Sequence, residues 1–324
     1  MIAKGLSILA CLALLGAADA GAQDYPRKPI TVVVPFAAGG PTDTVARLLG
    51  VAMGKSLKTQ IIVENVGGAG GTIGAARVAK AAPDGYTILL HNIGHSTAPA
   101  LYRKLPYDTV GDFEPIGLVN EVPMALVAKK ALPPNTLREL IAYLKANKDK
   151  VSYANAGLGS ASHLCGMLLM SAIDTDLTTV PYKGTAPAMN DLLGGQVDLL
   201  CDQSINATSQ IKAAKIKVYA VTTKTRVPSL SEVPTMQEAG LSGFEISVWH
   251  AFYAPKGTPK AVVEKLARAL RDALRDPTVQ QRFADLVAEG VAESRATPEA
   301  LRAHLKAEID RWAPIIKKAG AFAD

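Results

Sequence analysis

Blocks of like charge are missing from this sequence. Its 35 Lys and Arg residues outnumber 29 Asp and Glu, giving a formal charge of +6, but they are spread along the chain with no run of five or six basic residues. That pattern describes a solvated, mildly basic surface. With two Trp, six Phe and no interleaving of basic and aromatic residues, nucleic acid is excluded as the main partner. Cysteine is nearly absent as well. The three present form no CxxC pair and no Cys/His cluster at zinc spacing, so neither a metal site nor a metal cofactor is expected. No stretch beyond the N-terminal region reaches 18 apolar residues, which excludes a later membrane-spanning helix.

What is present fits a globular protein with ample core. The 324 residues are 48% hydrophobic and 20% charged, enough for two domains of ordinary size. At the N-terminus, Lys4 precedes the short apolar stretch GLSILACLALL, and GAADAGAQ then offers small-x-small sites after Ala20 or Ala22. This reads as a secretory signal peptide over residues 1–22. Cys11 lies inside the apolar stretch and is poorly placed to carry a lipid anchor. The mature protein is therefore expected to be exported, to the periplasm in a double-membraned bacterium. Export leaves Cys165 and Cys201, one on an expected helix and one at the end of an expected strand. Two readings stand: a disulfide, or two separate buried thiols.

Apolar runs alternate between strand and helix periods. ITVVVPF, IIVENV and YTILLHNI read as strands, separated by the helical patterns TDTVARLLGVAMGKSL and GTIGAARVAKAA. This βαβαβ series predicts a parallel sheet covered by helices. GDFEPIGLV and MALVAK read as two consecutive strands, after which the pattern restarts from TLRELIAYLKAN to IKVYAVTT. FEISVWHAFYAP is a further strand and the tail is helical, with Thr258-Pro259 and Thr297-Pro298 each read as a capping hydroxyl before a first-turn proline. The expected fold is α/β with two lobes, each a mixed, mostly parallel sheet flanked by helices. Residues 23–122 and 247–324 would build lobe 1, and residues 123–246 lobe 2.

Three strand-to-helix turns are rich in glycine. They are VVVPFAAGGPTDTVAR, VENVGGAGGTIGAARV and YANAGLGSASHL. A helix start exposes unpaired N–H groups and a partial positive charge, and glycine lets a ligand approach that backbone. Each turn is thus a candidate anion site that needs no cationic side chain. Asp43 in the first turn reads as a cap or turn-former, not a contact. Nucleotide motifs fail on spacing: after Gly68 and Gly70, GxGxxG needs glycine where Ile73 stands, and no GxxxxGK[ST] occurs. No cofactor is expected. An enzymatic alternative is a secreted serine hydrolase using Ser96. Gly94-His95-Ser96-Thr97-Ala98 approximates the G-x-S-x-G elbow, with Ala98 in place of the second glycine. His163, His250 and His304 lie downstream, none in a recognisable triad context.

YPRKPITVVVPFAAGGPTDTVAR, VENVGGAGGTIGAARVAKAAPDGYTILL and VPYKGTAPAMNDLLGGQVDLLCD together resemble the Bug family of periplasmic solute receptors, the substrate-binding proteins of tripartite tricarboxylate transporters. The resemblance spans essentially the whole mature chain. It implies a type II, Venus-flytrap periplasmic binding protein, monomeric and non-catalytic, that closes over a small organic carboxylate such as a dicarboxylate, an amino acid or an aromatic acid. Membrane permease subunits or a sensor domain would be its partners. By position it implies ligand contacts from Phe36, Ala37, Gly39, Pro41 and Thr42 on one lobe, with Gly157, Gly159, Ser160 and His163 facing them. Tyr182, Lys183, Gly184 and Asp202 are further candidates. Lys183 reads either as a cation for a second carboxylate or as a surface lysine. Asp202 reads either as a partner for a ligand hydroxyl or amine or as a strand-end cap. The segment HNIGHSTA departs from the family wording, which places His91, Asn92 and His95 toward the far end of the pocket; His95 reads equally as a packed loop residue, and Ser96 and Thr97 are candidates to supply hydroxyls at the cleft.

Overall fold

The computed structural model describes residues 25–320 and 322; the expected signal peptide at 1–22 lies outside them. Valine-rich Ile30–Val34 forms β1, buried along nearly its whole length. It pairs in parallel with β2 (Ile61–Asn65) and β3 (Thr87–Asn92). The connections are helix α1 (Pro41–Leu57) and helix α2 (Thr72–Ala79), as the apolar spacing predicts. A third helix, α3 (Gly94–Leu101), follows β3 and was not legible in the sequence. Its residues are small or polar, and Pro99, which suggests a helix start, sits inside it.

The expected pair of strands after α3 is one 17-residue strand, β4 (Phe113–Lys129). The polar stretch Asn120-Glu121 and Pro123 suggested a break, but Pro123 stands where the ladder changes partner. Up to Pro123 the strand pairs antiparallel with β9 (Ser247–Pro255), and from Met124 with β7 (Leu199–Gln203) and β8 (Ile216–Val221). A proline at that switch interrupts neither ladder. Beyond β7 lie β5 (Ser152–Asn155) and β6 (Thr178–Pro181), both parallel. The sheet order is β2-β1-β3-β9-β4-β7-β5-β6, with β8 and the short β10 (Glu289–Gly290) also on β4. Two parallel αβ units are therefore joined by antiparallel crossing strands.

The second unit carries α4 (Leu137–Ala146), α5 (Ala161–Ile173), α6 (Thr185–Leu193) and α7 (Ser204–Lys212), the last not legible in its polar sequence. Thr222 stitches the crossing point. Its hydroxyl donates to the Ile246 carbonyl at 2.6 Å, and its amide donates to the Met124 carbonyl at 3.0 Å. Cys165 on α5 and Cys201 on β7 form a disulfide, which decides between the two readings of those residues.

Three helices close the chain: α8 (Lys260–Arg275), α9 (Pro277–Asp285) and α10 (Pro298–Lys318). Thr297 caps α10 as expected, accepting from the Ala300 amide at 3.2 Å. Thr258 does not cap α8; its hydroxyl donates to the Pro255 carbonyl, and Pro259 occupies the cap position. No helix of the described residues is long and apolar enough to cross a membrane.

Candidate functional site

Between the two units lies a narrow cleft. Its walls are Phe36, Gly40, Pro41, Thr42 and Asn92 on one side and Ala156, Ser160, Ala161, Ser162, Thr185, Asp202 and Gln203 on the other, with Met124 at the crossing point. No Lys, Arg or His is among them. An anion held here has to be held by neutral donors.

The first glycine turn behaves as its sequence suggests. Gly40 is the cap residue of α1, no side chain caps that helix, and Pro41 at the first helical position has no N–H of its own. Asp43 holds the turn from beneath. Its carboxylate accepts from the Gly39 amide at 2.9 Å, from Arg47 Nε at 2.9 Å and from Asn65 Nδ2 at 3.0 Å. Burial alone would raise its pKa, but these donors hold the carboxyl below the usual carboxylate range. Gly39 is thereby committed to the turn and stays off the cleft wall.

The other two turns do different work. Gly67–Gly71 packs backbone against backbone on the opposite unit, where a Cβ on Gly67 would lie 2.8 Å from the Lys183 carbonyl oxygen. In the third turn the amides are already used. Gly157 N–H donates to Asn155 Oδ1 at 2.9 Å and Gly159 N–H to His163 Nδ1 at 3.3 Å. Ser160 Oγ accepts from the His163 amide at 3.3 Å, and Ser162 Oγ accepts from Ala156 N–H at 2.8 Å. What this turn offers the cleft is hydroxyl groups, not bare amides.

Two other helix starts supply amides instead. Neither α6, whose cap residue is Gly184, nor α7, whose cap residue is Gln203, has a side-chain cap. Each start lines the cleft through Thr185 or Gln203, and both side chains carry a buried polar atom, Thr185 Oγ1 and Gln203 Oε1, without a hydrogen-bond partner among the described residues. Sequence reading missed both residues. PYKGTAPAM does have the strand–glycine–helix form that would have flagged Thr185, whereas Gln203 was hidden because α7 was not legible.

Asp202 is the one ionisable group on the wall. Fully buried, it accepts from the Gln203 amide at 2.8 Å and from Asn206 Nδ2, and the Thr185 hydroxyl stands near but outside hydrogen-bond geometry. Burial outweighs these donors and pushes its pKa up to about 6. Behind the opposite wall runs a polar row. Asn92 Nδ2 donates to Thr42 Oγ1 at 3.3 Å, Thr42 Oγ1 lies 3.2 Å from His250 Nε2, and His250 Nδ1 lies 2.8 Å from Asn120 Oδ1.

Of the residues expected to touch a ligand, the structure brings Phe36, Pro41, Thr42, Asn92, Ser160 and Asp202 to the wall, while Gly184 caps α6 and packs against Ala37. Ala37, Gly157, Tyr182 and Lys183 lie on an outer groove at the mouth. The Lys183 side chain is exposed, and Tyr182 donates to Asp191 Oδ2 at 2.6 Å. His163 faces a separate surface pocket behind α5, and Gly159 is turned toward it. His91 and His95 are buried behind Phe36, not at the far end of the cleft. Their rings are 5.3 Å apart, and His95 is packed among Tyr107, Phe113 and Tyr253.

Ser96 is off the wall too. Its hydroxyl donates to the Ile93 carbonyl at 2.7 Å, and no histidine is bonded to it. Without a base within reach, the hydrolase alternative has no support in the geometry.

Two αβ units closing on a cationless cleft define a two-lobed solute-binding receptor. Residues 45–321 match the tripartite tricarboxylate transporter family receptor. A protein encoded in the TAR-I ttuE-ttuC' intergenic region of Agrobacterium vitis is 51% identical over 93% of this chain and 87% of its own length. Among solved structures, the periplasmic binding protein BugD superposes with a TM-score of 0.90 at 55% identity, covering 92% of this chain and 99% of that one. MatC from Rhodopseudomonas palustris, solved with bound malate, superposes at 0.88 with 43% identity over 90% and 100%. The chain belongs to the tripartite tricarboxylate transporter receptor family.

Proposed function

We propose that this chain is a periplasmic receptor that captures a small organic carboxylate in the cleft and presents it to membrane permease subunits or a sensor domain, without doing chemistry on it. Residues 23–122 and 247–324 would form one lobe and 123–246 the other, in a chain that acts as a monomer after cleavage near Ala20 or Ala22. The observation that carries the reading is the convergence of three uncapped helix starts, α1, α6 and α7, on a cleft that has no cationic side chain. Each start carries a partial positive charge. Charge-assisted hydrogen bonds contribute about 1.5–3 kcal/mol apiece, so a handful reaches the roughly 8 kcal/mol of micromolar affinity. BugD and MatC, similar over nearly their full lengths, bear names that agree with this assignment.

A thermal-shift screen of mono- and dicarboxylic acids, with sugars and amines as controls, tests it. Binding raises the midpoint by mass action. A shift with one or more acids is expected. A shift with sugars alone would overturn the proposal.

A further inference from the structure

The register of three adjacent strands lines up Asn92 on β3, His250 on β9 and Asn120 on β4 as direct cross-strand partners. All three are buried, and the row ends at Thr42 on the cleft wall. Asn120 Oδ1 stands 2.8 Å from His250 Nδ1, while Asn120 Nδ2 is buried without a partner among the described residues; in this amide orientation the oxygen accepts, and Nδ1 is the ring nitrogen that carries the hydrogen. The neutral ring then offers Nε2 as a bare acceptor, and the hydrogen directed at it belongs to the Thr42 hydroxyl, 3.2 Å away. Asn92 is oriented independently. Its Oδ1 accepts from the Gly94 amide at 3.0 Å, which turns its Nδ2 toward Thr42.

From this geometry we infer that His250 is a positioning residue that draws the Thr42 proton away from the cleft and leaves Thr42 facing the ligand as a hydrogen-bond acceptor. A carboxylate oxygen cannot bind at that point, because it too only accepts. A hydroxyl or ammonium group can. Across the same cleft, Asp202 and Gln203 Oε1 are acceptors as well. The inference rests on the carboxylate reading above and narrows it: the ligand is an acid with a hydroxyl or amino substituent, and a plain diacid leaves buried acceptors unpaired.

Two measurements test this. In the ¹⁵N-labelled wild-type chain, long-range ¹H–¹⁵N correlation of the His250 ring at pH 7 reports the tautomer directly, without a variant in hand. Nδ1–H is expected; Nε2–H, with the Asn120 amide reversed, would free the Thr42 proton for a carboxylate and overturn the inference. Calorimetry with malate and succinate, which differ by one hydroxyl, then reads the consequence. Malate is expected to bind about tenfold tighter than succinate, the scale of one buried hydrogen bond. Thr42→Val and His250→Leu should collapse that ratio, and Thr42→Ser, which keeps the hydroxyl, should preserve it. A ratio unchanged in Thr42→Val refutes the role of the hydroxyl. If the wild type binds no acid at all, the carboxylate reading falls together with the ligand half of this inference, and the tautomer half is still decided by the spectrum.

Discussion

The main-chain amide of Ala37 donates to the carbonyl of Lys183 across 2.9 Å, sewing the first glycine turn to the start of α6 over the mouth of the cleft. Thr97 Oγ1 to the Gly159 carbonyl at 3.1 Å and Tyr102 OH to the Leu158 carbonyl at 3.0 Å are two more such stitches. The cleft is therefore seen closed, its rim held by one backbone–backbone bond and two bonds from side-chain hydroxyls to backbone carbonyls.

Closure depends on glycines with no room for a side chain. Gly67 is the clean test, since a Cβ there would sit 2.8 Å from the Lys183 carbonyl oxygen and 3.2 Å from the Ala37 amide nitrogen. Gly67→Ala should hold the rim apart. Because a ligand bound between lobes draws affinity from the closed state, we expect its affinity to fall by about tenfold or more, with the melting temperature of the free protein nearly unchanged. Calorimetry beside a thermal melt separates the two effects; an unaltered dissociation constant would show that the rim contact is incidental.

The Cys165–Cys201 disulfide bridges a sequence separation of 36 residues and ties α5 to β7, the two elements that bring Ser160 and Asp202 to the cleft. On chain-entropy grounds its loss costs about 4 kcal/mol. The double variant Cys165→Ala, Cys201→Ala should show that deficit in urea unfolding, and dithiothreitol should lower the wild-type midpoint but not the variant's.

Stability should fall in mild acid. Burial lowers the pKa of His91 well below its ordinary value, lowers His95 and His250 to about 3, and lowers His163 to about 4. As pH drops below 6.5 the unfolded chain takes up protons that the folded chain refuses, so stability declines down toward pH 4. Asp202, raised to about 6 by burial, works the other way: its folded form favours the proton, and the stability this supplies disappears as pH rises through 6. Several histidines oppose one carboxyl. The midpoint should drop by about 10 °C between pH 7 and pH 5, and a flat profile would mean the rings are solvated.

Glu308 Oε2 accepts from Trp249 Nε1 at 3.0 Å and from Trp312 Nε1 at 3.1 Å, pinning α10 to β9. Glu308→Ala strands two buried indole N–H groups, for a loss of about 2–5 kcal/mol. Since Trp249 and Trp312 are the chain's two tryptophans, intrinsic fluorescence reports the site directly. Its emission maximum should shift in the native state, and unchanged emission with unchanged stability would refute the pinning.

The strands, the long helices and the first open helix start were legible in the sequence because they depend on near neighbours. Three valines followed by Gly39-Gly40-Pro41 specify a buried strand, a turn and a helix whatever the rest of the chain does. The capping of the third turn by Ser160 was in principle equally local. Two polar or small-residue helices escaped because α3 and α7 owe their helicity to packing, not to an apolar stripe. The choice of which helix starts face the cleft lay outside the sequence. That was decided by the order of strands, which brings α6 and α7 to the opening and turns the second glycine loop into a spacer between the units. The partnership of His250 with Thr42, Asn92 and Asn120 was equally invisible, because cross-strand register emerges only when distant segments compete for the same core and one alignment buries them all.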